Sequence, residues 1–115
     1  MKLWPARIAT ISPTFAAMNT FEDLSLSNPL RNALADLGFT QPTPIQEQST
    51  SVILSGRDMV GIAQTGTGKT FAYLLPILRD MKYATDGHPR VLILVPTREL
   101  VLQVVEQTQR LTKYM

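Results

Sequence analysis

With 115 residues, 44% of them hydrophobic and 17% charged, the chain has the balance of a small globular domain, which excludes disorder as its default state. It contains no cysteine, so disulfides, thiolate metal sites and cysteine nucleophiles are excluded, and no apolar run approaches the roughly 18 residues of a membrane span. The formal net charge of +2 comes entirely from Lys2 and Arg7, because nine basic and nine acidic side chains balance from Phe21 onward, and charge alone therefore predicts no polyanionic partner.

Residues 1–18 form a leader whose composition differs from the rest, with two basic side chains and no acidic one. Pro5, Arg7 and Pro13 interrupt the continuous apolar stretch of about 7–15 residues that a signal peptide requires. The charge of the leader fits an organelle transit peptide. We predict instead a disordered tail, or an upstream extension that precedes a start at Met18.

A first helix is predicted from Asn28, with Asn28 as the N-cap and Pro29 in the first turn. Gly38 suits the position just after the last turn, where glycine adopts the left-handed backbone without steric cost. Between these residues, apolar side chains recur at the i, i+3, i+4, i+7 spacing of one helix face. They are Leu30, Ala33, Leu34 and Leu37.

A second helix is predicted to begin after Thr43, which has the character of an N-cap residue. Pro44 takes the first helical position, and Gln46 lies three residues after the cap, which is the pattern of a capping box. The helix should run through the early fifties, either continuously or with an interruption at residues 49–51.

Two apolar segments are predicted to be buried strands. Residues 58–63 are a short run that contains methionine, valine and isoleucine. Residues 91–95 are continuously apolar and rich in β-branched side chains, so we predict a strand that is buried on both faces and ends before Pro96.

Each predicted strand leads into a predicted helix. A third helix follows a glycine-rich turn after the first strand and covers residues 69 to about 81, with a kink at Pro76. A fourth helix follows the second strand, is capped by Thr97 and covers residues 98 to about 113. The order strand, helix, strand, helix predicts an α/β fold, a right-handed parallel sheet with flanking helices.

Residues 63–70, the phosphate loop, match the P-loop pattern with alanine in place of the first glycine. Glycines let backbone N–H groups approach phosphate oxygens, and the positive end of the following helix points at the same anion. We expect Lys69 to reach the β- and γ-phosphates of a triphosphate and the Thr70 hydroxyl to bind Mg²⁺, which makes both catalytic residues. The alternative, a coincidental glycine turn, is disfavoured by the position of the loop between a predicted strand and helix. The predicted nucleotide contacts in the loop are Ala63, Gln64, Thr65, Gly66, Thr67, Gly68, Lys69 and Thr70.

Two further segments narrow the class of nucleotide-binding protein. Residues 38–46 read GFTQPTPIQ, with the isolated aromatic Phe21 upstream, and residues 96–100 read PTREL directly after the second predicted strand. With AQTGTGKT in the phosphate loop, these segments resemble the Q motif, motif I and motif Ia of the DEAD-box RNA helicases, in that order. The resemblance spans residues 21 to about 103 and implies an incomplete RecA-like P-loop NTPase domain.

The resemblance implies roles for individual residues. The Gln46 amide would donate and accept at the edge of adenine, which selects ATP over GTP. Phe21 would stack on the adenine ring, and Phe39 and Thr43 would shape the pocket and tie it to the phosphate loop. RNA phosphates would be contacted, without sequence information, by Pro96, Thr97, Arg98 and Glu99.

Each of these segments also has a purely structural interpretation. Thr43 and Gln46 could serve only as a capping box, Phe21 only as a core aromatic, and residues 97–99 only as a helix start. Their occurrence together, in order around the phosphate loop, favours the functional interpretation.

The chain also departs from the family pattern. Val101 stands where the family usually has alanine after PTREL, and Thr50 and Ser51 stand where it usually has an apolar residue and proline. No Asp-Glu-Ala-Asp sequence occurs in the 115 residues, although hydrolysis needs a second acidic Mg²⁺ site. We therefore expect a truncation after motif Ia, marginal folding, and dependence on missing C-terminal helicase parts or a partner chain for activity.

The predicted organisation is a leader at 1–18, a Q-motif region at 19–47 and the N-terminal part of the helicase ATP-binding domain at 50–115. The expected function is that of an ATP-binding piece of a cytoplasmic RNA helicase, whose intact parent unwinds RNA duplexes. Another P-loop ATPase or kinase is disfavoured by the pair of Gln46 and Phe21. A non-enzymatic nucleotide- or RNA-binding remnant remains an alternative that the residues do not separate from the first.

Overall fold

The computed structural model describes residues 20–64, 68–81 and 87–115. Over these residues the chain forms a short 3-10 helix, Phe21–Leu24, followed by four α-helices. The α-helices are α1, Asn28–Asp36; α2, Pro44–Leu54; α3, Lys69–Asp80; and α4, Arg98–Leu111. The leader lies outside the described residues, as do the phosphate-loop residues Thr65, Gly66 and Thr67, so the predictions for them remain predictions.

The start of α1 differs from its prediction by one residue. The N-cap is Ser27, with extended backbone, so Asn28 is the first helical residue and Pro29 the second. The first-turn N–H groups have no intrahelical partner, so a proline is tolerated at either position. At the other end, Gly38 has a φ of 80° and donates its N–H to the Ala35 carbonyl oxygen, which confirms the predicted left-handed residue after the helix.

The capping box of α2 is confirmed. The Gln46 N–H donates to Thr43 Oγ1 at 3.4 Å, and the Thr43 N–H donates to Gln46 Oε1 at 3.0 Å. The helix is continuous through residues 49–51. The Thr50 hydroxyl bonds back to the Gln46 carbonyl oxygen at 2.7 Å, an arrangement that threonine can adopt without leaving the helix.

The bounds of the two remaining helices agree closely with their predictions, and the kink at Pro76 stays a prediction. α3 runs without a break across Pro76 and ends at Asp80. α4 begins after Thr97, whose Oγ1 accepts a hydrogen bond from the Leu100 N–H at 3.2 Å, so the predicted cap is confirmed. None of the helices in the described ranges is both long enough and apolar enough to cross a membrane.

The two predicted strands are not observed. Residues 58–63 and 91–95 have no regular secondary structure, and the described part of the chain contains no strand. Burial of 91–95 on both faces is also wrong, since Leu92 and Leu94 are 81% and 83% exposed while Ile93 is half-buried. A strand is stabilised by ladder hydrogen bonds to a neighbouring strand, and the described residues offer neither segment such a ladder.

The core lies where the 3-10 helix, α1 and α3 meet, and it is closed by one leucine from the end of α4. Its members are Phe21, Leu24, Leu26, Leu30, Leu34, Phe71, Leu74, Leu75, Leu78 and Leu111. α2 packs mainly against α3 rather than into this cluster. That packing sets the beginning of α2, which carries Gln46, against the beginning of α3, which carries Lys69.

Candidate nucleotide-binding site

The side chain of Gln46 connects α2 to the start of α3. Gln46 is only 5% exposed, and its Nε2 donates to the Gly68 carbonyl oxygen at 3.2 Å. Its Oε1 accepts the N–H of Thr43, so the carboxamide is held at both ends. This arrangement fixes the rotamer of Gln46 and places the predicted adenine-reading residue in contact with the last glycine of the phosphate loop.

Gly68 cannot be replaced without disturbing this contact. It is the N-cap of α3 with a φ of 82°, a backbone conformation that strongly favours glycine. A Cβ atom at Gly68 would lie 2.2 Å from Gln46 Nε2 and 3.3 Å from Thr43 Oγ1. The glycine therefore allows both the left-handed turn into α3 and the close approach of α2.

Lys69 and Thr70 form the first turn of α3, where the backbone N–H groups have no acceptor within the helix and can bind an anion. Lys69 is exposed and Thr70 is partly buried. Ahead of the three loop residues outside the described part, Ala63 is partly buried and Gln64 is exposed. The described residues thus leave the ammonium group of Lys69 accessible to an anion at the amino end of a helix.

The possible metal ligands near the start of α3 could hold Mg²⁺ only if phosphate oxygens complete its coordination shell. No group of three or more histidine, cysteine, aspartate or glutamate side chains that could hold a metal occurs among the described residues. The Thr70 hydroxyl is a single oxygen ligand, and Mg²⁺ commonly takes one or two protein ligands with phosphate oxygens and water completing its shell. Thr70 therefore suits a metal that arrives bound to a nucleotide.

The two predicted adenine-pocket aromatics line one open cavity of about 520 Å³. Phe21 is 5% exposed and belongs to the core, whereas Phe39 is 47% exposed. The Phe39 ring meets Phe71 of α3 edge to face, with centroids 5.4 Å apart and an interplanar angle of 79°. Neither Gln46 nor Thr43 lines this cavity, so the structure brings Phe21 and Phe39 together and places Gln46 elsewhere, in contact with Gly68.

The predicted RNA-binding residues lie on the surface at the amino end of α4. Pro96, Thr97, Arg98 and Glu99 are all exposed. Thr97 caps the helix, so its hydroxyl already has the Leu100 N–H as a partner. The structure therefore presents Arg98 and the first turn of α4 to solvent, on a different element from Gln46 and Lys69.

Ser49, like its neighbour Thr50, is a buried polar residue that sequence reasoning missed. It is 1% exposed, and its hydroxyl donates to the Ala72 carbonyl oxygen of α3 at 2.6 Å. The available signal was Pro76, four residues after Ala72, because a proline cannot supply the N–H that the Ala72 carbonyl needs in a helix.

Away from this site, Asp36 joins the end of α1 to the end of the chain. Its Oδ2 accepts hydrogen bonds from the Tyr114 hydroxyl and from Lys113 Nζ, the latter at 3.0 Å. The Tyr114 hydroxyl and then the Lys113 ammonium hold the pKa of the Asp36 carboxyl below its ordinary value. The Asp36 carboxylate in turn raises the pKa of Lys113.

Comparison with known proteins gives one consistent family. The model of the DEAD/DEAH box helicase family matches residues 43–115. DEAD-box ATP-dependent RNA helicase 30 of Arabidopsis thaliana is 47% identical over 81% of the chain, and ATP-dependent RNA helicase SrmB of Escherichia coli (strain K12) is 49% identical over 84%. The chain spans 16% and 22% of the lengths of these two relatives.

Solved structures agree with the sequence relatives. The crystal structure of a DEAD box protein from the hyperthermophile Methanococcus jannaschii superposes with a TM-score of 0.75 at 32% identity, over 84% of this chain and 26% of that one. The RNA-helicase Prp28 from Chaetomium thermophilum, bound to ADP, also gives a TM-score of 0.75, at 38% identity over 84% of this chain and 24% of that one.

Proposed function

The chain belongs to the DEAD/DEAH box helicase family, and from that premise we propose that it supplies the ATP-binding part of an ATP-dependent RNA helicase. The observation that carries the proposal is the hydrogen bond from Gln46 Nε2 to the Gly68 carbonyl oxygen. It joins a residue suited to reading adenine to a loop suited to holding phosphates. A structure of the related Prp28 is described as bound to ADP, which supports an adenine nucleotide as the ligand.

The phosphate end of the nucleotide would lie at the amino end of α3. Residues 63–70 would surround the phosphates with backbone N–H groups, and the exposed Lys69 ammonium would neutralise the β- and γ-phosphates. The Thr70 hydroxyl would hold Mg²⁺, which supplies charge neutralisation between the phosphates when it is bound.

The base would be selected by the amide of Gln46. A carboxamide has two N–H donors and two acceptor lone pairs, and the bonds to Gly68 and Thr43 use one of each. One donor and one acceptor remain, and adenine presents the complementary N7 acceptor and N6 donor. Guanine presents two acceptors there, so ATP would be preferred over GTP. Phe21 would stack on the adenine ring and Phe39 would help shape the pocket, since both line one open cavity.

The RNA contact would lie at the start of α4. The exposed Arg98 guanidinium and the residues around it, from Pro96 to Glu99, would bind phosphates without reading sequence. This supports an RNA partner that is recognised by its backbone. Unwinding of RNA duplexes would be the activity of the complete helicase, in a cytoplasmic location.

The exposed apolar segments support a larger RecA-like domain. Ile62, Leu92 and Leu94 are at least 81% exposed, although apolar side chains of this kind are normally covered in a parallel sheet. We propose that residues 58–63 and 91–95 pair as strands of a parallel sheet once further helicase segments or a partner chain cover them. The same further segments would supply the acidic Mg²⁺ site, so the 115 residues by themselves would bind ATP without hydrolysing it.

Calorimetric titration of the 115-residue chain with Mg-ATP tests the binding proposal. Lys69→Ala should remove measurable binding, because the ammonium charge at the triphosphate is lost. Lys113→Ala, which removes an exposed lysine just after the end of α4, is the matched control and should bind like the wild type. Equal affinity of the wild type and Lys69→Ala would refute the proposal.

A phosphate-release assay tests the second part of the proposal. The 115-residue chain should release no phosphate from ATP above background, with or without single-stranded RNA. RNA-stimulated release that disappears in Lys69→Ala would show that these residues already contain a complete hydrolytic site.

A further inference from the structure

α3 contains a carbonyl group that its own helix cannot satisfy. Pro76 lies in the interior of α3 and has no N–H, and the carbonyl oxygen four residues earlier belongs to Ala72. Ala72 is buried, so solvent cannot replace the missing donor. A buried carbonyl without a partner destabilises the fold, and a donor from another element is therefore required.

Ser49 of α2 supplies that donor. Its Oγ lies 2.6 Å from the Ala72 carbonyl oxygen, and the residue is 1% exposed. The same hydroxyl is 3.1 Å from the Gln46 carbonyl oxygen, but that oxygen also receives the Thr50 hydroxyl at 2.7 Å. Because a serine hydroxyl has a single proton, the shorter contact assigns that proton to the Ala72 carbonyl oxygen. The Gln46 carbonyl oxygen then accepts from the Thr50 hydroxyl.

The hydrogen bond from Ser49 is the second of two side-chain hydrogen bonds that join α2 to α3. Gln46 Nε2 bonds the Gly68 carbonyl, and about one helical turn further along both helices Ser49 Oγ bonds the Ala72 carbonyl. Two hydrogen bonds one turn apart restrain both the translation and the rotation of one helix relative to the other, whereas a single hydrogen bond would allow rotation about itself. The first turn of α3, with Lys69, is thereby held in register with Gln46.

The geometry points to Ser49 as a positioning residue for nucleotide binding, which acts by occupying the Ala72 carbonyl that Pro76 leaves without its helical partner. This inference rests on the proposed function, since the register it protects is that between the base-reading amide and the phosphate loop. The affinity of a ligand such as ATP, which contacts both the amide and the phosphate loop, depends on this register. Inorganic tripolyphosphate contacts only the phosphate loop, so its affinity does not depend on the register.

A double-mutant cycle on the 115-residue chain tests the inference. The variants are Ser49→Ala, Pro76→Ala and the double variant, each titrated with Mg-ATP and with Mg-tripolyphosphate. Ser49→Ala should weaken ATP binding about fivefold, the equivalent of one net hydrogen bond, and change tripolyphosphate binding less than twofold. With Pro76→Ala, residue 76 regains an N–H for the Ala72 carbonyl, so adding Ser49→Ala should then change ATP affinity less than twofold.

Ser51→Ala is the matched control, because the Ser51 hydroxyl is exposed and bonds only the Gln48 carbonyl of its own helix. It should leave both affinities unchanged. An equal loss of ATP affinity from Ser49→Ala with and without the Pro76→Ala substitution, or equal losses for ATP and tripolyphosphate, would overturn the inference. Absence of ATP binding by the wild-type chain would instead refute the proposed function itself.

Thermal unfolding of the same variants without nucleotide tests the pairing independently of binding. Ser49→Ala should lower the midpoint of the chain that retains Pro76 and have a clearly smaller effect when it is added to Pro76→Ala. Identical shifts in the two backgrounds would show that the Ser49 hydroxyl does not compensate for the proline.

Discussion

Gln46 and Gly68 are separated by 22 residues along the chain and are joined by a hydrogen bond of 3.2 Å between Nε2 and the carbonyl oxygen. The Gly68 carbonyl also accepts the Ala72 N–H at 3.1 Å, so it serves α3 and α2 together. The contact makes the end of the phosphate loop and the start of α2 a single structural unit. A change on either side should therefore be felt by both.

Gly68→Ala should destabilise the chain and weaken nucleotide binding. The added Cβ would meet Gln46 Nε2 at 2.2 Å, in addition to the cost of about 1–2 kcal/mol for a non-glycine residue in the left-handed conformation. Gly56→Ala is the control, because Gly56 has a φ of 78° with nothing within 4 Å of its Cβ position. Denaturant unfolding should give a larger loss for Gly68→Ala than for Gly56→Ala. Equal losses would mean that the contact with Gln46 is readily displaced.

Thr43→Ala should reduce stability and ATP affinity together. It removes the N-cap of α2, a loss of about 1 kcal/mol in the free energy of unfolding, and it also removes one of the two bonds of the capping box that orients Gln46. Thr97→Ala removes the comparable cap of α4 and should cost similar stability without changing ATP affinity. The two variants are compared by thermal unfolding and calorimetry. Loss of ATP affinity in Thr97→Ala would contradict the separation of the two sites.

The Asp36 pair predicts a pH dependence of stability. The pKa of Asp36 is lowered in the folded chain, chiefly by the Tyr114 hydroxyl, so the folded state binds fewer protons than the unfolded state. The contribution of Asp36 to the free energy of unfolding is therefore fully present above the ordinary carboxyl pKa of about 4 and is lost as pH falls through the lower pKa of the folded chain. In Asp36→Asn, unfolding midpoints measured from pH 7 to pH 2 should fall less steeply in the acid range. If the unfolding midpoint of Asp36→Asn fell with pH as steeply as that of the wild type, the contacts of Asp36 would not be a cause of the acid sensitivity.

Leu92 and Leu94 should drive self-association of the 115-residue chain. Both side chains are more than 80% exposed and lie in one apolar segment. Replacing both by threonine should reduce light scattering at a given protein concentration while leaving the thermal midpoint nearly unchanged, since neither side chain is in the core. Scattering that does not change would show that these leucines do not form the associating surface.

The helices and their caps could be predicted because their signals are local. Thr43 with Gln46, Thr97, and Gly38 each act within one turn of their own position, so residue type and spacing suffice. The two strand predictions were not confirmed, because a strand forms only through hydrogen bonds to a neighbouring strand, and residue spacing does not reveal whether that neighbour is present. Within 91–95, Ile93 and Val95 are half-buried while Val91, Leu92 and Leu94 are exposed.

The site was only partly predictable for a related reason. The residue types in the phosphate loop and at Gln46 point to their chemistry, because phosphate and adenine recognition impose strict demands on donors and backbone shape. The hydrogen bond from Ser49 to the Ala72 carbonyl depends on how two helices pack side by side, and no residue pattern within α2 predicts it. Only the proline in α3 indicates that a distant donor is required.

The proposed function depends above all on Gln46 and the phosphate loop acting as one site that is selective for an adenine nucleotide. Its most direct test is calorimetric titration of wild-type chain and Gln46→Ala with Mg-ATP and Mg-GTP. The wild type should bind ATP at least tenfold more tightly than GTP, a difference of about 1.4 kcal/mol, and Gln46→Ala should abolish this difference. Equal binding of ATP and GTP by the wild type, or a preference for ATP that survives in Gln46→Ala, would contradict it.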